Sequence, residues 1–443
     1  MLGAVVVVVL FLRDGGSRVL TSGSFSAVLG GVGRVTGLLA VDALLLQLLL
    51  AARVPWVDRV YGMDRALKAH RILGRVSLPL VLVHVEALVV SYASRDGLSP
   101  WLGWAVEPVR MLGQVPDMVT AALGTALLVV VAVTSVRRAS RALGYERWHF
   151  VHLTAYAGVI LSVPHQLSIG SDLSGSTWSK TYWLALYVLV AASLVWWRLL
   201  VPVARSLRHG LRVESVVPEG ADAWSVVMTG RGLDRMPLRA GQYLGFRFVA
   251  RGLWTSAHPW SVSAHPDGRR IRITVRDLGD HSRRVGRLQP GTPVLIEGPY
   301  GSFTTASRVR RRVLLLAAGI GVTPIRALLE EIVREHTAGP GDVTVIVRAN
   351  SRDELVLDDE LEELCRQGRH RLHVLVGPVQ DGSWFPASVG GRNDAGRLRH
   401  FVPQLEAHEV YVCGPTAWMD LVHESLERAG VPGRQVHDER FGW

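Results

Sequence analysis

Cysteine is nearly missing from this 443-residue chain: Cys365 and Cys413 are the only two, and both lie in the C-terminal half. So few thiols exclude a disulfide framework and a cysteine-ligated iron–sulfur cluster. Lysine is equally scarce, at positions 68 and 180 only, so almost all of the 49 basic residues are arginine. The net charge of +11 does not point to nucleic acid. The arginines cluster beside hydrophobic runs, where they set membrane topology. Charge of either sign is sparse up to about residue 203, where Val, Leu and Ala dominate; the remainder has the composition of an ordinary soluble protein.

Five segments of the apolar half are long enough to cross a bilayer: roughly 35–53, 71–93, 117–136, 148–167 and 181–201. A sixth stretch, MLGAVVVVVLFL, has 12 residues before Arg13. It is too short to span and lacks the charged start and cleavage site of a signal peptide. It reads as the end of a first span whose start lies outside this chain. Basic residues collect in the 53–71 connection (Arg53, Arg59, Arg65, Lys68, Arg71), in the 137–147 connection (Arg137, Arg138, Arg141, Arg147) and after the last span (Arg198, Arg205, Arg208). The positive-inside rule places these, and the soluble half, in the cytoplasm of a multi-pass plasma-membrane protein.

Four histidines stand in two pairs on these spans. His70 and His84 are 14 residues apart, His152 and His165 are 13 apart. At ~1.5 Å per residue each spacing separates two levels by about 20 Å. With both helices running outwards, His70 and His152 share the inner level, and His84 and His165 the outer one. Two bis-histidine b-type haems, one near each face of the membrane, fit this pattern. Thirteen residues do not return to the same helix face, and Pro164 is positioned to re-aim His165. His149 is a rival inner ligand. Arg71, Arg75 and Arg147 are candidates for haem propionates or for docking a flavin domain. Asp42 and Glu86 each fall about seven residues from the outer end of a span, which suggests a shared polar site near the outer haem; the plainer alternative is a bond from Asp42 to a neighbouring helix.

Residues 211–308 alternate in a strand-like way, with WSVVMTG, QYLGFRF and RRIRITVRDL as strands of a small antiparallel barrel, interrupted by HPWSVSA (258–264) and EGPYGSF (297–303). A flavin needs an aromatic wall, a hydroxyl near its reactive nitrogen and donors for its phosphates. His258, Trp260 and Ser261 answer the first two, and Gly279 to Ser282 the last. Residues 309–443 alternate strands with helices. RRVLLLAAG runs through Gly319, Gly321 and Pro324 into an amphipathic helix, a turn that lets a pyrophosphate reach a helix N-terminus, although GxGxxP departs from GxGxxG. After the next strand, Arg348, Ser351 and Arg352 favour NADPH, with NADH possible because Asp353 and Glu354 follow. Cys413, Gly414 and Pro415 form a second strand-to-helix turn, with Cys413 where a nicotinamide would react, and the terminal Trp443 is free to cover a flavin face.

On these residues the chain resembles the ferric reductase and NADPH oxidase superfamily, above all bacterial members that carry haem domain and dehydrogenase in one chain. The motifs are the two histidine pairs, HPWS at 258–261, Gly298, Tyr300 and Gly301 of GPYG, GxGxxP at 319–324, CGP at 413–415 and Trp443. Pro259 and Trp260 fall within the family's flavin motif, with His258 where soluble relatives carry arginine. The resemblance implies a partial first span and outer loop over 1–34, a transmembrane haem domain over 35–203, an FAD barrel over 211–308 and an α/β NAD(P) domain over 309–443. It implies an oxidoreductase passing electrons from cytoplasmic NADPH through FAD and two haems to oxygen or ferric iron outside, with Ser261, Cys413 and Trp443 at the flavin. The alternatives are a haem-free, membrane-anchored flavin reductase and a donor to a periplasmic redox partner. The partners expected are the lipid membrane and a small-molecule acceptor, not nucleic acid.

Overall fold

The computed structural model describes residues 2–136, 139, 142–170, 173, 176–378, 380 and 382–440. It resolves into two compact units, Met1–Leu199 and Leu200–Trp443.

The first unit is helical. Leu2–Phe11 (α1) and Ser17–Leu20 (α2) precede Phe25–Ala51 (α3), Pro55–Tyr61 (α4), Met63–Arg95 (α5), Pro100–Gln114 (α6), Met118–Thr134 (α7), Tyr145–Ser168 (α8) and Thr177–Ser193 (α9). Among the described residues, three apolar stretches are long enough to cross a membrane: Phe25–Ala51, Arg65–Arg95 and Thr177–His209; Met118–Thr134 is apolar but shorter. The first begins ten residues before the 35–53 segment, because the glycine-rich run from Phe25 to Gly37 is helical too. α8, over the 148–167 segment, is 24 residues long and runs unbroken through Pro164.

α3 and α5 pack antiparallel in a strict register. Ser91 Oγ donates to the Ser26 carbonyl (2.7 Å), His84 Nδ1 lies 2.7 Å from the Gly33 carbonyl, and His70 Nδ1 lies 2.9 Å from the Gln47 carbonyl. Each advance of seven or fourteen residues on α3 is answered by the same step back on α5, the periodicity of helices packed at a shallow angle. Glycine makes the approach possible: a Cβ on Gly37 would stand 2.5 Å from His84 Nδ1. α7 and α8 approach through glycine as well, since a Cβ on Gly124 would stand 2.6 Å from the Gly158 carbonyl oxygen.

The second unit opens with Val201–His209 (α10), whose Ser206 hydroxyl accepts from the Ile296 amide at 3.0 Å. Two three-stranded antiparallel sheets follow. One has the order β1 (Arg212–Pro218), β2 (Ala223–Thr229), β5 (Arg270–Arg276), and the other β4 (His258–Ser261), β3 (Tyr243–Phe248), β6 (Val294–Tyr300). Bridges Arg212–Pro293 and Val262–Ile273 join them. The expected strands are present, and the HPWS segment, expected to interrupt them, is itself β4. Pro259 is tolerated there because β4 is an edge strand, paired on one side only. The short helix Asp280–Val285 (α11) lies between β5 and β6.

A five-stranded parallel sheet completes the unit, in the order β11 (Val436–Arg440), β10 (His408–Gly414), β7 (Arg312–Ala318), β8 (Val343–Ala349), β9 (Arg371–Val376). Its strands are linked by Val322–Arg334 (α12), Asp358–Gly368 (α13), Asp394–Phe401 (α14) and Thr416–Arg428 (α15). The central strands are buried on both faces and read as continuous apolar runs, as parallel strands do. Chain order reverses between β7 and β10, and in open α/β sheets the crevice at such a switch point is where ligands bind.

Candidate functional site

The two glycine turns meet at that switch point. Gly319 has φ +54°, a left-handed conformation that favours glycine, and Gly321 lies against β10: a Cβ there would stand 2.2 Å from the Cys413 carbonyl oxygen. Gly414 is closed in by Trp418 and Ala318. The strand ends are thereby drawn together below the N-terminus of α12, whose free N–H groups suit a pyrophosphate. Pro324 stands in the first turn of that helix, where its missing N–H costs nothing. Cys413 is fully buried at the tip of β10, and burial pushes its thiol well above the usual range.

The barrel presents a cluster of stacked rings. His258 and His281 lie 3.5 Å apart between ring centroids, and each is 5.7 Å from Trp260. Ser256 Oγ is bonded to His258 Nε2 at 2.9 Å. Ser261 is 4 % exposed, and its hydroxyl has no partner among the described residues. A buried, unmatched hydroxyl is a place for a polar ring atom of a ligand. Tyr300 packs on Tyr243 (5.7 Å), and the Gly298 carbonyl accepts from Arg205. Gly298 and Gly301 both take positive φ. The end of β11 approaches this turn, with Glu439 Oε2 3.7 Å from a Cβ on Gly301. Trp443 lies outside the described residues.

In the helical unit the paired histidines come together across α5 and α8. The rings of His70 and His152 are 6.1 Å apart and steeply inclined. The backbone carbonyls of Gln47 and Gly33 can only accept, so Nδ1 of His70 and of His84 carries the proton. Ser135 donates its own proton to the Val131 carbonyl (2.6 Å), so its oxygen accepts from His152 Nδ1 at 3.3 Å. In all three rings Nε2 is left with a free lone pair. His165 Nδ1 is buried without a partner among the described residues. His149 packs beside Trp148 at 6.4 Å.

Comparison with known proteins gives two family models: a ferric reductase like transmembrane component over residues 36–163 and an oxidoreductase NAD-binding domain over residues 315–424. A ferredoxin–NADP reductase B of Sorangium cellulosum is 30 % identical over 197 residues, which is 41 % of this chain and 77 % of that one. The chain carries a ferric-reductase-like transmembrane domain. Its helical domain is fused to an oxidoreductase module of the ferredoxin–NADP reductase type. A flavohemoprotein of Xylella fastidiosa is 27 % identical over 322 residues, 71 % of this chain and 79 % of that one. The flavohem-like FAD/NAD-binding domain of nitric oxide dioxygenase from Vibrio cholerae superposes with a TM-score of 0.45 and 25 % identity, covering 53 % of this chain and all of that one. This ferric reductase relative is therefore a membrane protein with an FAD- and NAD(P)-binding electron-transfer module.

Several residues of this reductase stand otherwise than their positions in the chain suggest. Arg348 is 5 % exposed and its guanidinium is spent on the carbonyls of Trp384 (2.9 Å), Ala349 and Pro378 (3.2 Å), so it braces the loop after β9 and does not offer charge to a 2′-phosphate. Ser351 and Arg352 are exposed at the end of β8, and the Arg352 guanidinium makes no hydrogen bond or ion pair with the described residues. Ser282 closes its own turn, donating to the Gly279 carbonyl (2.9 Å) and accepting from the Leu278 amide (2.8 Å). Asp42 and Glu86 do not share a site. The α3–α5 register sets Glu86 level with Gly31, eleven residues from Asp42, or about 16 Å along the axis. Asp42 is buried and accepts from Tyr182 of α9 (3.0 Å), whereas exposed Glu86 accepts from Trp104 of α6 (3.1 Å). Arg71, Arg75 and Arg147 are exposed.

Two residues not singled out in the sequence belong to the flavin-side geometry. His281 completes the ring stack and is held neutral, its pKa lowered to about 4 by burial and then by His258 and Arg284. Arg276, at the end of β5, is fixed by Asp222 (2.7 Å) and reaches within 3.8 Å of a Cβ on Gly319. No local signal marks either, since both act through residues distant in the chain.

Proposed function

We propose that this protein takes reducing equivalents from cytoplasmic NADPH and passes single electrons across the plasma membrane to oxygen or a ferric chelate outside. His70/His152 and His84/His165 would each hold one b-type haem of that path. A bound flavin would supply the conversion of a hydride into single electrons, and haems held by these histidine pairs would supply one-electron carriers.

The observation that carries the reading is the state of the histidines. A metal-binding histidine donates its other ring N–H to a carbonyl or similar acceptor, which fixes tautomer and ring orientation. His70, His84 and His152 do this, and in each Nε2 makes no hydrogen bond with the described residues. His70 and His152 lie 6.1 Å apart between ring centres, so the two side chains that would hold the inner haem stand together. His165 fits as a ligand whose unmatched Nδ1 leaves it less firmly oriented.

The other residues take roles their chemistry allows. Ser261 offers its hydroxyl to the flavin ring, and Trp260, His258 and His281 wall it off from water. Gly298, Tyr300 and Gly301 shape the opposite edge; Gly279 and the backbone after it hold phosphate. Gly319, Gly321 and Pro324 admit the nucleotide pyrophosphate to α12, while Cys413, Gly414 and Pro415 floor the nicotinamide pocket. Ser351 and Arg352 select the 2′-phosphate. The positive-inside rule, applied to the basic connections, supports a cytoplasmic module, from which exporting an electron down an inside-negative potential would gain about 2.3 kcal/mol per 100 mV.

The test is a reduced-minus-oxidised absorbance spectrum of the purified full chain. A bis-histidine haem spectrum, developed by NADPH with added FAD, is expected. His70→Ala and His84→Ala should each remove one haem. A colourless protein from cells supplied with haemin would overturn the reading. Turnover with oxygen against ferric citrate then ranks the acceptors.

A further inference from the structure

α6 is amphipathic the wrong way round for a helix facing water. At 100° per residue, Trp101, Ala105, Val109 and Leu112 fall on one face, and all four are exposed: Trp101 by 88 % and Val109 by 70 %. The opposite face carries Gly103, Glu107 and Arg110. Glu107 is only 4 % exposed and accepts from Arg110 (3.1 Å), which also binds Asp96 at the end of α5 (2.7 Å). The helix is clasped to α5 at two further points. Trp104 donates to Glu86 (3.1 Å), and a Cβ on Gly103 would stand 2.3 Å from that of Ala93. Charge is thus turned towards the protein, and apolar surface outwards.

The occupant of that face follows from where α6 is tethered. Four residues join it to α5 and three to α7, both apolar helices of the membrane domain. At about 3.3–3.6 Å per residue these links hold it within ~20 Å of the bilayer end of each neighbour. Its 15 residues are too few to cross the membrane. Two tryptophans in the first turn and a half suit the headgroup level. No lysine or arginine lies on the outward face, so anionic headgroups are not needed for its seating.

We infer that α6 is an interfacial helix, with Trp101, Ala105, Val109 and Leu112 seated in lipid at the boundary between headgroups and acyl chains, in the leaflet where α5 ends beyond His84. There it forms a lipid-held cover on the outer end of α5, fastened through Glu86, Ala93 and Asp96.

Single cysteines at 105, 109 and 112 of the full chain, nitroxide-labelled in nanodiscs, test this. The native Cys365 and Cys413 are buried and stay in place. Collision with oxygen should exceed collision with a water-soluble nickel complex several-fold at all three positions. The order should be reversed at a cysteine replacing Leu278, which is 80 % exposed in the other unit. The ratio should be the same in zwitterionic discs and in discs with added anionic lipid. Independently, brominated lipid should quench tryptophan emission less in Trp101→Phe than in the unaltered protein. Water-like ratios at 109 and 112, or protection from both reagents through cover by a second copy or another protein, would overturn the inference.

Discussion

Ser135 holds His152 by acceptance alone. Its Oγ lies 3.3 Å from Nδ1, and its own proton is committed to Val131 at 2.6 Å. A hydroxyl so constrained fixes both the tautomer and the tilt of the ring. Removing such an outer partner costs about 10–100-fold in metal affinity. Ser135→Ala should therefore purify with the inner haem depleted after dilution or haem-scavenger challenge, and Ser135→Thr should retain it. Haem-to-protein ratio is the measurement; equal retention in the alanine variant would show that the bond does not position His152.

Gly37 and Gly74 face the same helix pair with different tolerance. A Cβ on Gly37 meets the His84 ring at 2.5 Å, whereas one on Gly74 meets the movable Gln47 amide at 3.2 Å. Gly37→Ala should displace His84 and lose the outer haem while the inner one stays. Gly74→Ala should keep both. Redox titration counts the haems that remain.

The two arginines near the end of β8 should separate cleanly. Arg352→Ala is expected to raise KM for NADPH about tenfold, the loss of one charged contact of ~1.4 kcal/mol, with NADH unaffected. Arg348→Ala leaves buried carbonyls unmatched and should destabilise the module by about 2–4 kcal/mol without changing the coenzyme preference. Steady-state kinetics with both coenzymes and thermal melts read the two effects.

A pH-dependent contact joins the barrel to the nucleotide domain. His265, between β4 and β5, lies 3.7 Å from Glu331 of α12, with Glu330 and Glu335 nearby. The facing Glu331 carboxylate, opposed by burial, raises the imidazole above its usual 6.5. Burial pushes the Glu331 carboxyl up, but the facing His265 and the bond from Thr305 bring it below the usual 4.5. A raised histidine contributes stability fully below its unfolded pKa and loses it as pH climbs through the folded value. Between pH 6 and 8.5 the melting point of the flavin module should fall further than in His265→Gln, by about 2–4 °C for each kcal/mol. Parallel curves would exclude the pair as the cause.

Much of the site could be read along the chain because its signals are local. His70 and His84 declare themselves by fourteen residues on one helix. RRVLLLAAGIGVTP declares a strand, a turn and a helix start from the lack of side chains at Gly319 and Gly321. Arg348 could not be read, because whether a strand-end arginine points to ligand or to its own loop depends on Trp384, 36 residues away. The pairing of His258 with His281 was hidden for the same reason, since β4 and α11 meet only in the fold.

By itself the sequence determined the elements, their order and the residue types available to hold cofactors, since helical and strand periodicity and glycine's freedom act over a few residues. Only the tertiary structure decided depth, tautomer and direction. The α3–α5 register put Asp42 and Glu86 about 16 Å apart, the carbonyls of Gly33 and Gln47 set which histidine nitrogen is free, and the packing of α6 turned its charges inward. Each depends on which atoms of one helix stand opposite those of another, and interhelical register is a property of packed surfaces.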